Sequence, residues 1–117
     1  MEQKLQMDER DAVDNFRLVK GQLILLQDNI YERLLKTAYP SDCLALYIHY
    51  RYETKQQASN NICAPTEDIA KALKWSLTKV RRIKKLLKAI GLIGDVISWE
   101  KGRIKKNYVK VNYEFEY

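Results

Sequence analysis

The sequence predicts an α+β fold that is mostly α, with three or four helices followed by a C-terminal β-hairpin. Apolar residues between 66 and 90 recur at three- and four-residue steps, which is the period of a helix buried on one side. Beyond Leu92 the period changes to two, as in a strand with one buried face. Gly91 and Gly102 stand where the last helix should end and where the hairpin should turn.

The N-terminal segments carry weaker signals. Residues 1–15 are polar and mixed in charge, so we expect a frayed or loosely helical arm ahead of one domain at 16–117. The apolar residues of 16–26 are compatible with a short strand or with the start of a helix. A four-residue spacing of apolar side chains predicts a short helix near 28–37.

A longer amphipathic helix is predicted over 41–54. Pro40 and Ser41 have the character of a helix start, and apolar residues follow them at helical spacing. Residues 55–64 are mostly polar and are predicted to form a loop.

Two helices joined by a short turn are predicted next. Thr66 is a good N-cap and acidic residues follow it, which predicts a short helix over 66–73. Ser76 is expected to cap a longer helix over 76–90. Trp75 lies in the turn between the two helices and is expected to pack on the core. This succession is the helix-turn-helix arrangement.

A β-hairpin is predicted directly after the second of these helices. Glu100-Lys101-Gly102 has the composition of a tight turn, with glycine where a positive φ is needed. On the following strand Val109, Val111, Tyr113 and Phe115 share one face and alternate with polar residues. A hairpin in this position is a "wing", so the predicted fold is a winged helix-turn-helix.

The net charge of +6 arises entirely in the C-terminal half of the chain. Residues 1–64 hold 8 Lys/Arg and 9 Asp/Glu, whereas residues 65–117 hold 13 Lys/Arg and 6 Asp/Glu. A one-sided basic surface points to a polyanion, either nucleic acid or an anionic membrane. The membrane is the weaker alternative, because the basic helix lacks aromatic residues at its polar–apolar border.

The helix predicted over 76–90 separates into an apolar back and a basic front. No acidic residue occurs between Asp68 and Asp95, so basic side chains four residues apart repel one another instead of forming ion pairs. Phosphates would relieve that repulsion, and arginine can make bidentate bonds to guanine in the major groove. The front carries Thr78, Arg81, Arg82, Lys85 and Lys88, flanked by Lys84.

The hairpin turn supplies a second basic cluster within 100–106, which can reach neighbouring phosphates or the minor groove. Its candidate contact residues are Lys101, Arg103, Lys105 and Lys106. Together the two clusters predict sequence-specific binding of double-stranded DNA, with 76–90 as the recognition helix.

Three motifs give the span from Phe16 to Ile93 a family resemblance. They are Leu44-Ala45-Leu46-Tyr47, Thr66-Glu67-Asp68-Ile69-Ala70-Lys71-Ala72-Leu73 and Leu87-Lys88-Ala89-Ile90-Gly91-Leu92-Ile93. In these motifs the chain resembles the N-terminal winged-helix domain of phage replisome organisers and plasmid replication initiators. Transcriptional repressors share the last two, so the resemblance implies DNA binding in replication initiation or in transcriptional regulation. It also implies that Ser76, Thr78, Lys79 and Arg82 approach the DNA.

Several other classes of protein are not expected. The chain has no paired carboxylates in a convincing site, no Gly-rich phosphate loop and no nucleophile–base pair, so we expect no enzyme, no small-molecule substrate and no cofactor. Two cysteines and one histidine fall short of a structural zinc site, and Cys43 and Cys63 are expected to be buried, reduced thiols. Without a membrane-length apolar run or a signal peptide, a cytoplasmic protein is expected.

The main alternative function is that of a protein-interaction module. Residues 23–26 or the tyrosine-bearing helix at 41–54 could form a homodimer interface or recruit a partner. A palindromic DNA target would itself imply a dimer, with half-sites about one helical turn apart.

Overall fold

The computed structural model describes residues 24–112, with the backbone alone described at 99–100 and 104–106. Within this range it holds four helices and a three-stranded antiparallel sheet, which confirms the prediction of a mostly helical α+β fold. The elements are α1 (Asp28–Leu35), α2 (Pro40–Gln57), β1 (Asn61–Ile62), α3 (Thr66–Leu73), α4 (Leu77–Ala89), β2 (Ile93–Glu100) and β3 (Arg103–Val111). The predicted arm at 1–15, the apolar residues before Ile24, and Tyr113 and Phe115 lie outside the described residues.

The start of α3 differs from the prediction in one detail. Its N-cap is Pro65 and not Thr66, because the Pro65 carbonyl accepts hydrogen bonds from the N–H groups of Asp68 and Ile69. Thr66 is therefore already the first residue of the helix, and its side chain makes no capping hydrogen bond.

Both ends of α4 follow the predicted signals. The Oγ of Ser76 accepts a hydrogen bond from the N–H of Lys79 at 3.1 Å, which satisfies one of the free donors of the first turn. At the other end Gly91 adopts a φ of 81°, a left-handed conformation that glycine reaches without a steric penalty. The Ile90 carbonyl accepts a hydrogen bond from Arg33 of α1 at 2.9 Å.

The predicted loop at 55–64 is wrong in part, because it contains the end of α2 and the strand β1. β1 pairs antiparallel with β3. The side-chain amide of Gln57, the last residue of α2, both donates to the Cys63 carbonyl and accepts from the Cys63 N–H, each at 2.9 Å. A two-residue strand with one apolar side chain has no detectable period, so composition alone indicated a loop.

The two cysteines differ in exposure. Cys43 is buried as expected, but Cys63 is exposed, which corrects the expectation of two buried thiols. Side chains alternate along an extended chain, so the inward position of Ile62 turns the next residue outward. Burial raises the pKa of the Cys43 thiol, and a hydrogen bond with Thr37 partly opposes that effect.

The sheet has the order β1-β3-β2. The β2–β3 hairpin turns at Lys101 and Gly102, whose φ angles of 53° and 77° place both central residues in the left-handed region, as in a type I′ turn. The register of the two strands shifts between Ser98 and Trp99. Such a bulge increases the local twist of the hairpin.

The core lies between the helices and one face of the sheet. α2 occupies the centre and packs against α1, α4 and both β1 and β3. Tyr47 and Tyr50 of α2 are fully buried in the same cluster as Ile83 and Leu87 of α4. The Tyr47 hydroxyl donates to the Asn112 carbonyl at 2.6 Å, which fastens the end of β3 to α2.

Candidate nucleic-acid interface

α4 is packed on one side only. Val80, Ile83 and Leu87 are fully buried against the core, and their spacing of three and four residues defines the inward side of the helix. We call the opposite, exposed residues the outward side of α4. They are Thr78, Arg81, Arg82, Lys85 and Lys88.

Carboxylates from other elements reach both ends of α4. Asp42 of α2 places its Oδ1 atom 3.3 Å from the Lys79 Nζ atom. Asp95 of β2 forms a hydrogen-bonded ion pair with Lys88, and its Oδ1 atom lies 3.6 Å from the Lys84 Nζ atom. Two of the predicted contact residues, Lys79 and Lys88, are therefore already ion-paired in the free protein.

The position of Asp95 is set by the sheet. It pairs across the hairpin with Val109, and directly opposed residues share a face, so its carboxylate lies on the same face as the buried Val109. The hydrogen bond from Lys88 and the nearby charge of Lys84 hold the pKa of Asp95 below its usual range, although partial burial opposes them. Asp95 thus remains ionised and opposes the two lysine charges.

The middle of the outward side has no such pairing. Within residues 24–112, no carboxylate lies at ion-pair distance from Arg81, Arg82 or Lys85. The Arg82 guanidinium lies over the ring of Tyr39, 5.1 Å from its centroid, and this cation–π contact orients it without neutralising its charge. These three cations remain available to an external anion.

A concave surface runs alongside this face. An open depression of about 450 Å³ is lined by Thr66 of α3 together with basic residues of α4, namely Arg81, Arg82, Lys84, Lys85 and Lys88. A second groove of about 270 Å³ shares Thr66 and Lys84 with it and extends to Asn107 and Val109 of β3. The depression beside the basic face of α4 therefore adjoins a groove that continues to β3 of the hairpin.

The N-terminal end of α4 is braced by Trp75. This residue is partly buried and packs against the core, as the sequence predicted. The Lys79 Nζ atom lies 4.5 Å from the centroid of its indole ring. Ser76 and Thr78 are exposed beside it, so the start of α4 presents hydroxyl groups to solvent.

The hairpin cluster is described in part. Lys101 and Arg103 are exposed at the turn. The structure gives Lys105 and Lys106 only as backbone positions of β3. The second basic cluster therefore comprises at least two exposed cations at the tip of the hairpin.

Sequence reasoning missed the residues that modulate this surface. Tyr39, Asp42 and Asp95 contact α4 from outside that helix. Tyr39 and Asp42 precede their partners on α4 by 37 or more positions in the sequence. Asp95 lies on β2, the strand that follows α4. The sequence feature that came closest to revealing these residues is the stretch without acidic residues, which ends at Asp95, the first carboxylate after α4. Thr66 and Asn107 line the adjoining depressions, and neither was predicted as a site residue.

The described helices also bear on the membrane question. Among residues 24–112, no helix combines the length and the apolar composition needed to cross a bilayer.

The surface therefore consists of an arginine- and lysine-bearing helix side, ion-paired lysines at both ends of that helix, and a basic hairpin turn. Such an arrangement can bind phosphate groups through charge-assisted hydrogen bonds. Comparison of the chain with protein-family models, with curated proteins and with solved structures finds no match in any of the three.

Proposed function

We propose that the protein binds double-stranded DNA in a sequence-specific manner, with α4 as the recognition helix and the β2–β3 turn as the wing. The observation that carries this proposal is the outward side of α4. It presents Arg81, Arg82 and Lys85 to solvent without a carboxylate partner within the described chain. Phosphates bound to this helix face would reduce the repulsion between its positively charged side chains.

The topology supports the same proposal. A helix, a short strand, two helices joined by a three-residue turn and a hairpin follow one another from α2 to β3, and the sheet order is β1-β3-β2. This succession is compatible with a winged helix-turn-helix, a fold in which the second helix of the pair enters the major groove. The groove, about 12 Å wide, admits one α-helix.

The contacts divide by chemistry. Arg81 and Arg82 offer planar guanidinium groups suited to the guanine edge, whereas Lys85 offers a point charge suited to a phosphate. In this proposal Lys101 and Arg103, which are exposed at the turn, hold the flanking DNA backbone. By resemblance, the role of such binding is replication initiation or transcriptional control.

Fluorescence anisotropy tests the proposal. A labelled random duplex is titrated with the protein across a salt series from about 50 to 300 mM. We expect log affinity to fall linearly with log salt, with a slope of about −0.9 for each phosphate contacted. Selection from a random-sequence library then identifies the preferred site. Absence of binding at the lowest salt concentration would refute the proposal.

A second candidate function, self-association or partner binding, is favoured by one feature. Leu25, Tyr31 and Leu35, on α1 and just before it, are 69%, 44% and 51% exposed. Large apolar side chains clustered on one element are typical of an interaction surface. Sedimentation velocity at several concentrations, with Leu35→Gln as the variant, tests this; a monomer at all concentrations argues against self-association.

A further inference from the structure

We propose that Asp95 restricts the DNA contacts of α4 by holding Lys84 and Lys88 away from the phosphate backbone, which lowers affinity for DNA of arbitrary sequence. This inference rests on the proposed function and assigns a specificity-determining role to a residue outside the basic face. Asp95 acts through the two lysines, and is therefore a positioning residue.

The carboxylate of Asp95 contacts two ammonium groups, those of Lys84 and Lys88. One oxygen of Asp95 is hydrogen-bonded to Lys88, and the other lies 3.6 Å from the Lys84 Nζ atom. The side chain of Asp95 is 29% exposed, and those of Lys84 and Lys88 are 23% and 42% exposed. The pairs are thus open enough for an external anion to compete for them.

The carboxylate is held in place by elements that do not depend on the lysines. Asp95 sits within the hydrogen-bonded ladder of the hairpin, opposite the buried Val109. Lys84 and Lys88 lie one turn apart on α4, so both reach the same point of β2. A DNA phosphate must break these contacts to bind either lysine, and the free energy of that exchange reduces the gain from each new contact.

The effect is confined to one end of the surface. Arg81, Arg82 and Lys85 have no carboxylate at ion-pair distance within residues 24–112, so their contacts are left intact. Affinity for arbitrary DNA comes from phosphate contacts, whereas discrimination comes from contacts to base edges. Neutralising Lys84 and Lys88 therefore weakens arbitrary binding more than it weakens binding to the preferred site.

The first test is Asp95→Asn, which keeps the shape of the side chain and removes its charge. Anisotropy with a random duplex should show about tenfold tighter binding at 0.1 M salt, and the salt slope should steepen by about 0.9 to 1.8. The ratio of specific to random affinity should fall. Unchanged affinity and slope for a folded Asp95→Asn protein would overturn the inference.

Glu32→Gln provides the matched control. It makes the same change in net charge at an exposed residue of α1 that forms no ion pair with Lys84 or Lys88. A general effect of net charge would tighten binding equally in both variants, and that result would also overturn the inference.

A double-mutant cycle gives an independent measurement. Lys88→Gln should weaken random-duplex binding several-fold more in the Asp95→Asn background than in the wild type, because only there is Lys88 free to meet a phosphate. Equal losses in the two backgrounds would overturn the inference.

If Asp95→Asn does not fold, the double variant Lys84→Gln with Lys88→Gln in the wild-type background replaces it. A loss of salt slope approaching 1.8 in that variant would show that both lysines contact DNA and would overturn the inference.

The two proposals fail in different ways. If the wild type and Asp95→Asn both fail to bind any duplex at low salt, the proposed function is wrong and this inference falls with it. If the wild type binds with the expected salt dependence and Asp95→Asn behaves identically, only the role of Asp95 is wrong.

Discussion

The two long helices, α2 and α4, pack against each other but divide their side chains differently. α4 is buried along one side only and leaves its outward side exposed. α2 lies between α1, α4 and the sheet, and its polar side chains Tyr47, Tyr50 and Thr54 are buried there. A helix at the edge of the fold can separate stability from ligand binding along its two sides, whereas a helix at the centre cannot.

The largest expected effect breaks the inward side of α4. Ile83→Ala removes a fully buried side chain and should lower the free energy of unfolding by about 2 to 5 kcal/mol. Urea denaturation followed by circular dichroism measures the change. DNA binding should decrease only in proportion to the unfolded fraction, and a folded Ile83→Ala protein with abolished binding would contradict the separation of the two sides.

Arg82→Ala makes the opposite test on the outward side of α4. It should weaken binding to the preferred site by about 1 to 3 kcal/mol and weaken random-duplex binding less, because a guanidinium reads a base edge as well as charge. Its effect on unfolding should stay below about 1 kcal/mol, the cation–π contact with Tyr39 included.

Lys101→Gln, in the hairpin turn, is the control for Arg82→Ala. We expect it to weaken binding to both kinds of DNA about equally, since a lysine at the turn contacts phosphates only. Identical profiles for the two variants in anisotropy titrations would argue against assigning base contacts to α4.

Two buried tyrosines of α2 test the comparison on the central helix. Tyr47→Phe loses the hydrogen bond to the Asn112 carbonyl and should lower the free energy of unfolding by about 1 kcal/mol. Within residues 24–112 the Tyr50 hydroxyl is buried without a hydrogen-bond partner, and burial raises the pKa of Tyr50 well above its usual range. Tyr50→Phe removes an unsatisfied polar group, so it should leave stability unchanged or raise it by about 1 kcal/mol. Thermal melts compare the pair, and equal destabilisation would contradict this assignment of the two hydroxyls.

The smallest expected effect is on the pH dependence of stability. The hydrogen bond from Lys88 lowers the pKa of Asp95 in the folded protein, so its contribution to stability is present above the pKa of the unfolded chain and is lost as pH falls through the folded value. Between pH 7 and pH 3 the wild type should therefore lose slightly more stability than Asp95→Asn, by less than about 1 kcal/mol for so exposed a pair. Thermal melts of both proteins measure this difference. Melting temperatures that fall equally in the two proteins across this pH range would show that the ion pair does not contribute to stability.

The predictability of each element follows its packing. α4 was predicted within one residue at each end, because one-sided burial leaves a clear period and both ends carry capping residues. The end of α2 and the strand β1 were not, because α2 is buried on several sides and β1 depends on its pairing with β3. The basic candidates were visible in the chain, but the partners Asp42 and Asp95 come from other elements and only the fold brings them to α4.

The paired hydrogen bonds of Gln57 have a consequence for how the chain tolerates changes in length. The amide side chain offers one donor and one acceptor to Cys63, as a neighbouring strand would, and so fixes the number of residues from 58 to 62. One inserted residue there would break both bonds or shift Ile62 by one position, and a one-position shift in a strand turns a buried side chain to solvent. Insertions should be better tolerated at the turn of the hairpin, where Lys101, Gly102 and Arg103 are exposed.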